Sequence, residues 1–92
     1  MEFIKESNRI YKNNEEGKLI AEVTFPGCGE NTVVINHTFV DDSLRGQGVA
    51  SKLMRAAYEV IKEQDKKATL TCSYAIKWYE KNTEKNDIVV KK

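Results

Sequence analysis

VDDSLRGQGVASKLM, residues 40–54, joins two patterns of unlike period. The residues leading into it, TVVINHTFV (32–40), are strongly β-branched and read as one long strand. After it, Val49, Leu53, Ala57, Val60 and Ile61 recur at helical spacing, with Ala50 and Met54 beside them. Lys52, Arg55, Glu59, Lys62 and Glu63 take the other side, so the spacing predicts an amphipathic helix over 49–64. Between strand and helix stands Arg45-Gly46-Gln47-Gly48. Helix starts favour Ser, Thr, Asp or Asn. Two glycines there point to a backbone with a special conformation or a close neighbour.

Upstream, FIKESNRIYKN gives two short strand-like pieces around the turn pair Ser7-Asn8, and NNEEGK (13–18) reads as a hairpin turn with Gly17 at positive φ. LIAEVTF alternates, with Leu19, Ala21, Val23 and Phe25 on one side. PGCGEN (26–31) is a second turn, so the first half reads as an antiparallel meander. Downstream, ATLTCS (68–73) is a short strand, YAIKWYEKN (74–82) a shorter helix and DIVV (87–90) a last strand. Strands 32–40 and 68–72, joined through a packed helix, are expected to run parallel with a right-handed crossover. Their carboxyl ends then share the sheet edge where open α/β sheets bind ligands.

A helix N-terminus offers free N–H groups and partial positive charge, and glycines let an anion approach them. RGQGVA can therefore cradle a pyrophosphate, with Arg45 and Lys52 adding charge. It reads equally as a tight turn whose glycines only supply unusual φ angles. The Gly-Lys-Ser/Thr ending of a P-loop is missing, and GxGxxG is not completed.

The totals narrow the field. Ninety-two residues suit one small domain, 1–92, with room for one sheet and two or three helices, and only the last two lysines read as disordered. Fifteen basic against fourteen acidic residues leave a net charge of +1, which argues against a nucleic-acid partner. No apolar run approaches a membrane span. The start, Met-Glu-Phe-Ile-Lys-Glu, lacks the apolar core of a signal peptide, so the expected compartment is the cytoplasm, with Cys28 and Cys72 reduced. Two cysteines and one histidine fall short of the four ligands of a structural zinc site, and no metal is expected.

Arg45-Gly46-Gln47-Gly48-Val49-Ala50 fits the pattern Q/R-x-x-G-x-G/A, and AIKWYEKN (75–82) resembles A-x-x-x-Y-E-K-x-G-F. His37-Thr38-Phe39-Val40 and Cys72-Ser73-Tyr74 are similar to the HT-x-V and C-S-Y of a very small single-domain branch. On these residues, within 35–82, the chain resembles the GNAT-type N-acetyltransferases. The resemblance implies a mixed α/β, GNAT-like fold: an antiparallel N-terminal meander continuing into a β-α-β unit with parallel, splayed strands, then a short second helix and a final short strand. It implies acetyl-CoA as cosubstrate. The N–H groups of Gln47, Gly48, Val49 and Ala50 would take the pyrophosphate, with Ser51 in the same turn and Arg45 and Gly46 shaping it. Phe39 and Val40 would offer strand backbone to the pantetheine arm, and the thioester would sit near Cys72. The acceptor would be an unidentified amine, on a small molecule or a protein. Two departures bear on that acceptor. SNRIYKNNEEGK stands where larger members carry two helices, and Asn82-Thr83 replaces the final Gly-Phe.

Four residues are candidates for the chemistry. An amine attacks a thioester only when unprotonated, so a base is needed. His37 is the only histidine, and histidine suits that task; strict alternation sets it with Val33, Ile35 and Phe39, where it reads equally as a structural core residue. Glu22 is another candidate base, or simply a solvated acid. Tyr79, at the tyrosine of YEK, is the expected acid for the departing thiolate, or a tyrosine packed by Trp78 with its hydroxyl at the surface. Cys72 ends a strand before a helix, whose N-terminus would lower its thiol pKa for an acyl-cysteine step, yet it also suits a small buried position. The function expected is direct acetyl transfer in a ternary complex, with acyl-Cys72 as a variant. The alternative is a non-catalytic CoA- or acyl-CoA-binding module on a shortened fold. A domain this small also has room to complete its site as a homodimer.

Overall fold

The alternation in LIAEVT works as a strand pattern in the computed structural model, which describes residues 2–90; Lys91 and Lys92 lie outside them. Strand β3 (Leu19–Thr24) turns Ala21 and Val23 into the core. It pairs antiparallel with β2 (Arg9–Asn13) across the 14–18 turn, where the Asn14 side chain accepts from the N–H groups of Glu16 and Lys18 (2.9 Å each) and Gly17 takes φ +84°. β1 (Ile4–Lys5) adds outside β2.

The expected long strand 32–40 is two strands. β4 (Thr32–Ile35) pairs parallel with β6 (Lys67–Leu70), and β5 (His37–Val40) pairs antiparallel with β3. A bulge at Asn36 separates them. Asn36 donates its N–H to the Thr24 carbonyl (3.3 Å), yet Thr24 is also the register partner of His37, so two residues oppose one. The extra residue shifts the phase. Val33 and Ile35 are buried, but beyond the bulge Thr38 and Val40 share the face of Val23 and Ala21, while His37 and Phe39 turn to the other. His37 therefore does not face the core, and strict alternation fails there; its side chain is 53% exposed. The result is a four-stranded sheet β1-β2-β3-β5 beside a two-stranded sheet β4-β6.

Helix α1 (Val49–Glu63) buries Val49, Leu53, Met54, Ala56, Ala57 and Ile61, while Val60 is only half-buried. Burying each large side chain of this kind is worth about 1.5–3 kcal/mol. The helix stops in a Schellman turn: Asp65 takes φ +57°, its N–H reaches the Lys62 carbonyl (3.0 Å), and the Lys66 N–H reaches that of Ile61 (3.1 Å). Helix α2 (Ser73–Lys81) starts one residue earlier than its spacing suggests and buries Ala75, Trp78 and Tyr79. Both helices join Ile10, Ala21, Val23, Val33, Ile35 and Ala68 in one core cluster. The opposite face of the four-stranded sheet, with Arg9, Tyr11, Glu22, Thr24, His37 and Phe39, has none of these six buried.

The expected final strand 87–90 does not form. Thr83–Ile88 is a 3₁₀ helix, and only Val89 bridges to Ala68, with the Val90 N–H on the Ala68 carbonyl (2.8 Å). The cause is Asp87. Its carboxylate accepts from the Tyr58 hydroxyl (2.8 Å) and pairs with Lys62 (2.9 Å), which ties the segment to α1. The molecule measures 40 × 25 × 19 Å.

Candidate functional site

Strands β4 and β6 hold together as far as Ile35 and Leu70. The Ile35 carbonyl then accepts from both Thr71 N–H (3.1 Å) and Cys72 N–H (3.2 Å), which closes the ladder. Past that point the bulge turns β5 toward β3, while the other strand ends and α2 begins. The two parallel strands therefore fork. β5 is the terminal strand of its sheet, so among the described residues its fork-facing backbone is paired to no strand.

The glycine turn lies at the end of the β5 arm. Asp41 accepts the Ser43 N–H (3.0 Å) and starts a 3₁₀ turn, Asp42–Leu44. Gly46 and Gly48 follow at φ +83° and +68°, a left-handed region that favours glycine. Gly48 is the N-cap of α1 and supplies no side-chain cap. The first N–H groups of the helix, at Val49, Ala50 and Ser51, thus have no intrahelical partner. A Cβ placed on either glycine would point into open space. That is the shape a phosphate-bearing ligand requires: uncapped donors, open approach and no side chain in the way. Arg45 is exposed and pairs with Asp42 (2.8 Å). The Ser51 hydroxyl accepts from the Trp78 indole N–H (2.8 Å), which links the turn to α2.

Cys72 occupies the other arm, at the N-cap of α2. Its sulfur lies 3.5 Å from the Thr38 hydroxyl, a contact that spans the fork. Burial pushes the thiol pKa up, but the Thr38 hydroxyl and the N–H groups of Ala75, Tyr74 and Thr38 more than offset it, and the net pKa is lowered. Thr38 had no role in the sequence reading. Its place in HTFV, one residue before Phe39, was the available signal. Cys28 is free and exposed in its turn, and Cys72 is also free.

Tyr79 does not keep its hydroxyl at the surface. The residue is 2% exposed, its ring meets Trp78 edge-on at 4.9 Å, and its hydroxyl finds no hydrogen-bond partner among the described residues. Burial, with the nearby Tyr58 and Asp87, drives its pKa well above the ordinary phenol value, so it stays protonated. Its ring lines a cavity of about 240 Å³ with Leu70, Ile76 and Val89. Tyr79 and Cys72 are not joined by a hydrogen bond, whereas Cys72 and Thr38 are brought together. On the open face, His37 Nε2 lies 3.6 Å from Glu22 Oε1, and Glu22 also takes the Arg9 guanidinium. Glu22 is only 15% exposed and is not the solvated acid its strand position suggests. Among the described residues no three His, Cys, Asp or Glu side chains gather to hold a metal ion, and no helix is long and apolar enough to cross a membrane.

The model of the GCN5-related N-acetyl-transferase family matches residues 9–88, which include both arms of the fork and the glycine turn. The chain belongs to that family. Among curated proteins, Protein NATD1 of Xenopus tropicalis is 44% identical over 62 residues, 67% of this chain but 57% of that protein, so the match spans little more than half of the relative. A GCN5-like protein of Staphylococcus aureus, solved by NMR, superposes with a TM-score of 0.79 at 34% identity, over 97% of this chain and 87% of that one. An acetyltransferase from Bacillus cereus superposes with a TM-score of 0.64 at 27% identity, over 88% of this chain and 56% of that one. The mixed α/β fold with its antiparallel strands is thus the GNAT fold, and acetyl transfer is the general chemistry of the family. Residues 7–18, where two helices were not expected, hold β2 and its turn.

Proposed function

We propose that this GNAT chain binds acetyl-CoA along the fork and transfers the acetyl group directly to an amine acceptor. The observation that carries the reading is the pairing of an open fork with an uncapped, glycine-lined helix start on one of its arms. Acetyl-CoA supplies an activated acyl carbon, which an amine attacks as the C–N bond forms and the C–S bond breaks.

The N–H groups of Gly48, Val49 and Ala50 and the Ser51 turn would hold the pyrophosphate, with Gly46 keeping the approach clear and Arg45 supplying charge beside it; the Gln47 N–H is already taken by the Leu44 carbonyl (3.3 Å), so Gln47 shapes the turn rather than the cradle. The free edge at Phe39 and Val40 would pair with the amide groups of the pantetheine arm, as a strand pairs with its neighbour. His37 would take the acceptor's proton. Tyr79, held protonated by burial, would be the acid at the departing thiolate. The acceptor would be a small molecule or a protein amine, met in the cytoplasm, where free thiols persist.

Calorimetry with acetyl-CoA tests the site, and Gly48→Glu should abolish binding by placing an anionic side chain in the cradle. Unchanged affinity in that variant would sink the assignment. Binding without turnover on a panel of amines would select a non-catalytic CoA-binding module instead.

The lowered Cys72 pKa favours one variant of this reading, in which the Cys72 thiolate takes the acetyl group and later yields it to the amine. Intact mass after incubation with acetyl-CoA decides it. A gain of one acetyl group that vanishes in Cys72→Ala supports the covalent route; no gain, or one that survives the substitution, removes it.

A further inference from the structure

The open face of the four-stranded sheet carries a line of contacts that ends beside the fork. The Arg9 guanidinium carbon lies 3.8 Å from the centre of the Tyr11 ring, and Arg9 Nε donates to Glu22 Oε2. The other carboxylate oxygen, Oε1, faces His37 Nε2 at 3.6 Å. Glu6 stands behind Arg9, 3.7 Å from its Nη1. Strand register builds the line, for Thr24 pairs with both Arg9 and His37, and Glu22 with both Tyr11 and Phe39. Arg9, stacked and ion-paired, keeps Glu22 from swinging away. At 3.6 Å the carboxylate oxygen stands just beyond hydrogen-bond distance of the ring edge that carries Nε2, and a small rotation of the imidazole would bring the two into contact. One edge of the ring therefore faces an anion, and the side chain as a whole is half-exposed.

We propose that Glu22 is a positioning residue: it holds His37 as the Nε2–H tautomer and leaves Nδ1 as the atom that accepts the proton of an amine approaching the fork from the open face. The inference rests on the acetyl-transfer reading of the fork. The Asn36 bulge serves it directly, because without the phase shift the imidazole would turn to the core side with Ile35. As the C–N bond forms and the C–S bond of the thioester breaks, the proton leaves the amine nitrogen for Nδ1. The imidazolium then carries its positive charge beside the Glu22 carboxylate, and its proton passes to solvent at the exposed edge. The charged groups facing His37 are Glu22 from β3 and, behind it, Arg9 from β2. On the opposite side of β5, Thr38 holds Cys72.

The chain has a single histidine, so every imidazole signal of the labelled protein belongs to His37. Long-range ¹H–¹⁵N spectra, recorded under alkaline conditions where the ring is neutral, report its tautomer without any turnover. The wild type should show Nε2–H, and Glu22→Gln should populate the Nδ1–H form. A wild type that is mainly Nδ1–H overturns the proposal, whether or not the Gln variant folds; so does a folded Glu22→Gln protein with an unchanged tautomer. In turnover, Glu22→Gln should lower kcat about ten-fold and His37→Ala about a hundred-fold, both with KM for acetyl-CoA unchanged. A Glu22→Gln loss that appears in KM alone overturns the catalytic half. Failure of the transferase reading shows separately, as no transfer by the wild type while the tautomer still answers to Glu22; that outcome supports the positioning and overturns the proton transfer.

Discussion

Cys72 shows how one side chain is tuned by what it touches. Its burial alone would make an inert thiol, but the Thr38 hydroxyl and the first N–H groups of α2 favour the thiolate. A lowered thiol pKa means more thiolate at neutral pH, and alkylation by iodoacetamide should have a pH midpoint below the ordinary value of about 8.5. Thr38→Val removes the hydroxyl and should move the midpoint up; a wild-type midpoint at or above the ordinary value contradicts this tuning. Such residue-level detail was only partly legible in sequence. Cys72 and the glycine turn stood out because their type and spacing are rare. Arg9 and Thr38 did not, and Glu22 stood only as a candidate base or a solvated acid, because their partners come from neighbouring strands and only the register reveals them. Tyr79 was found by its motif, but its buried hydroxyl depends on how α2 rolls against Tyr58 and Asp87, which spacing does not encode.

The most consequential element is the break between β4 and β5. A run as β-branched as TVVINHTFV gives no local sign of stopping, so it reads as one strand. Asn36 is its one polar, turn-favouring member, and the Thr24 hydroxyl donates to its side-chain oxygen (2.7 Å). Deleting Asn36 removes the extra residue, so Val33, Ile35, Thr38 and Val40 would alternate along one unbroken strand with His37 still on the open face, and β5 would lose the kink that turns it away from β6. The affinity measured by calorimetry with acetyl-CoA should then fall; a deletion variant of wild-type affinity would show that the bulge is dispensable to the fork. The lost strand at 87–90 has an equally specific cause, since Asp87 is held by Lys62 and Tyr58. The hydrogen bond to Lys62 lowers the Asp87 pKa against the opposing effect of burial, so the folded state binds that proton less readily than the unfolded one. The stabilisation is then present above the ordinary carboxylate pKa and is lost as pH falls through the lowered value. The Val89 and Val90 amide signals should shift with a pH midpoint below the ordinary carboxylate range, and Asp87→Asn should remove that change; a midpoint within or above that range contradicts the pairing.

At the level of the whole molecule, one core cluster holds both sheets and both helices together. The strand–turn–helix–strand order that fixed this topology was legible, because the change from period two to helical period is abrupt at Gly48. Leu53, fully buried in the first half of α1, belongs to that core. Leu53→Ala should cost about 2–5 kcal/mol. Domains of this size are stable by only about 5–15 kcal/mol, so the variant should lose a large share of its resistance to urea. A change under about 1 kcal/mol would mean that the core closes around the gap.

The 19 Å short axis also limits how far any charge can be felt. No interior point lies farther from water than half that thickness, and among the described residues no charged side chain is buried. Solvent and salt screen fields over about 8 Å at physiological ionic strength, a length comparable with that half-thickness. With acidic and basic residues nearly balanced, no broad potential remains to draw ligands in from a distance. A molecule this thin recognises what it binds by contact rather than by attraction at range, and its encounter rates should scarcely depend on ionic strength.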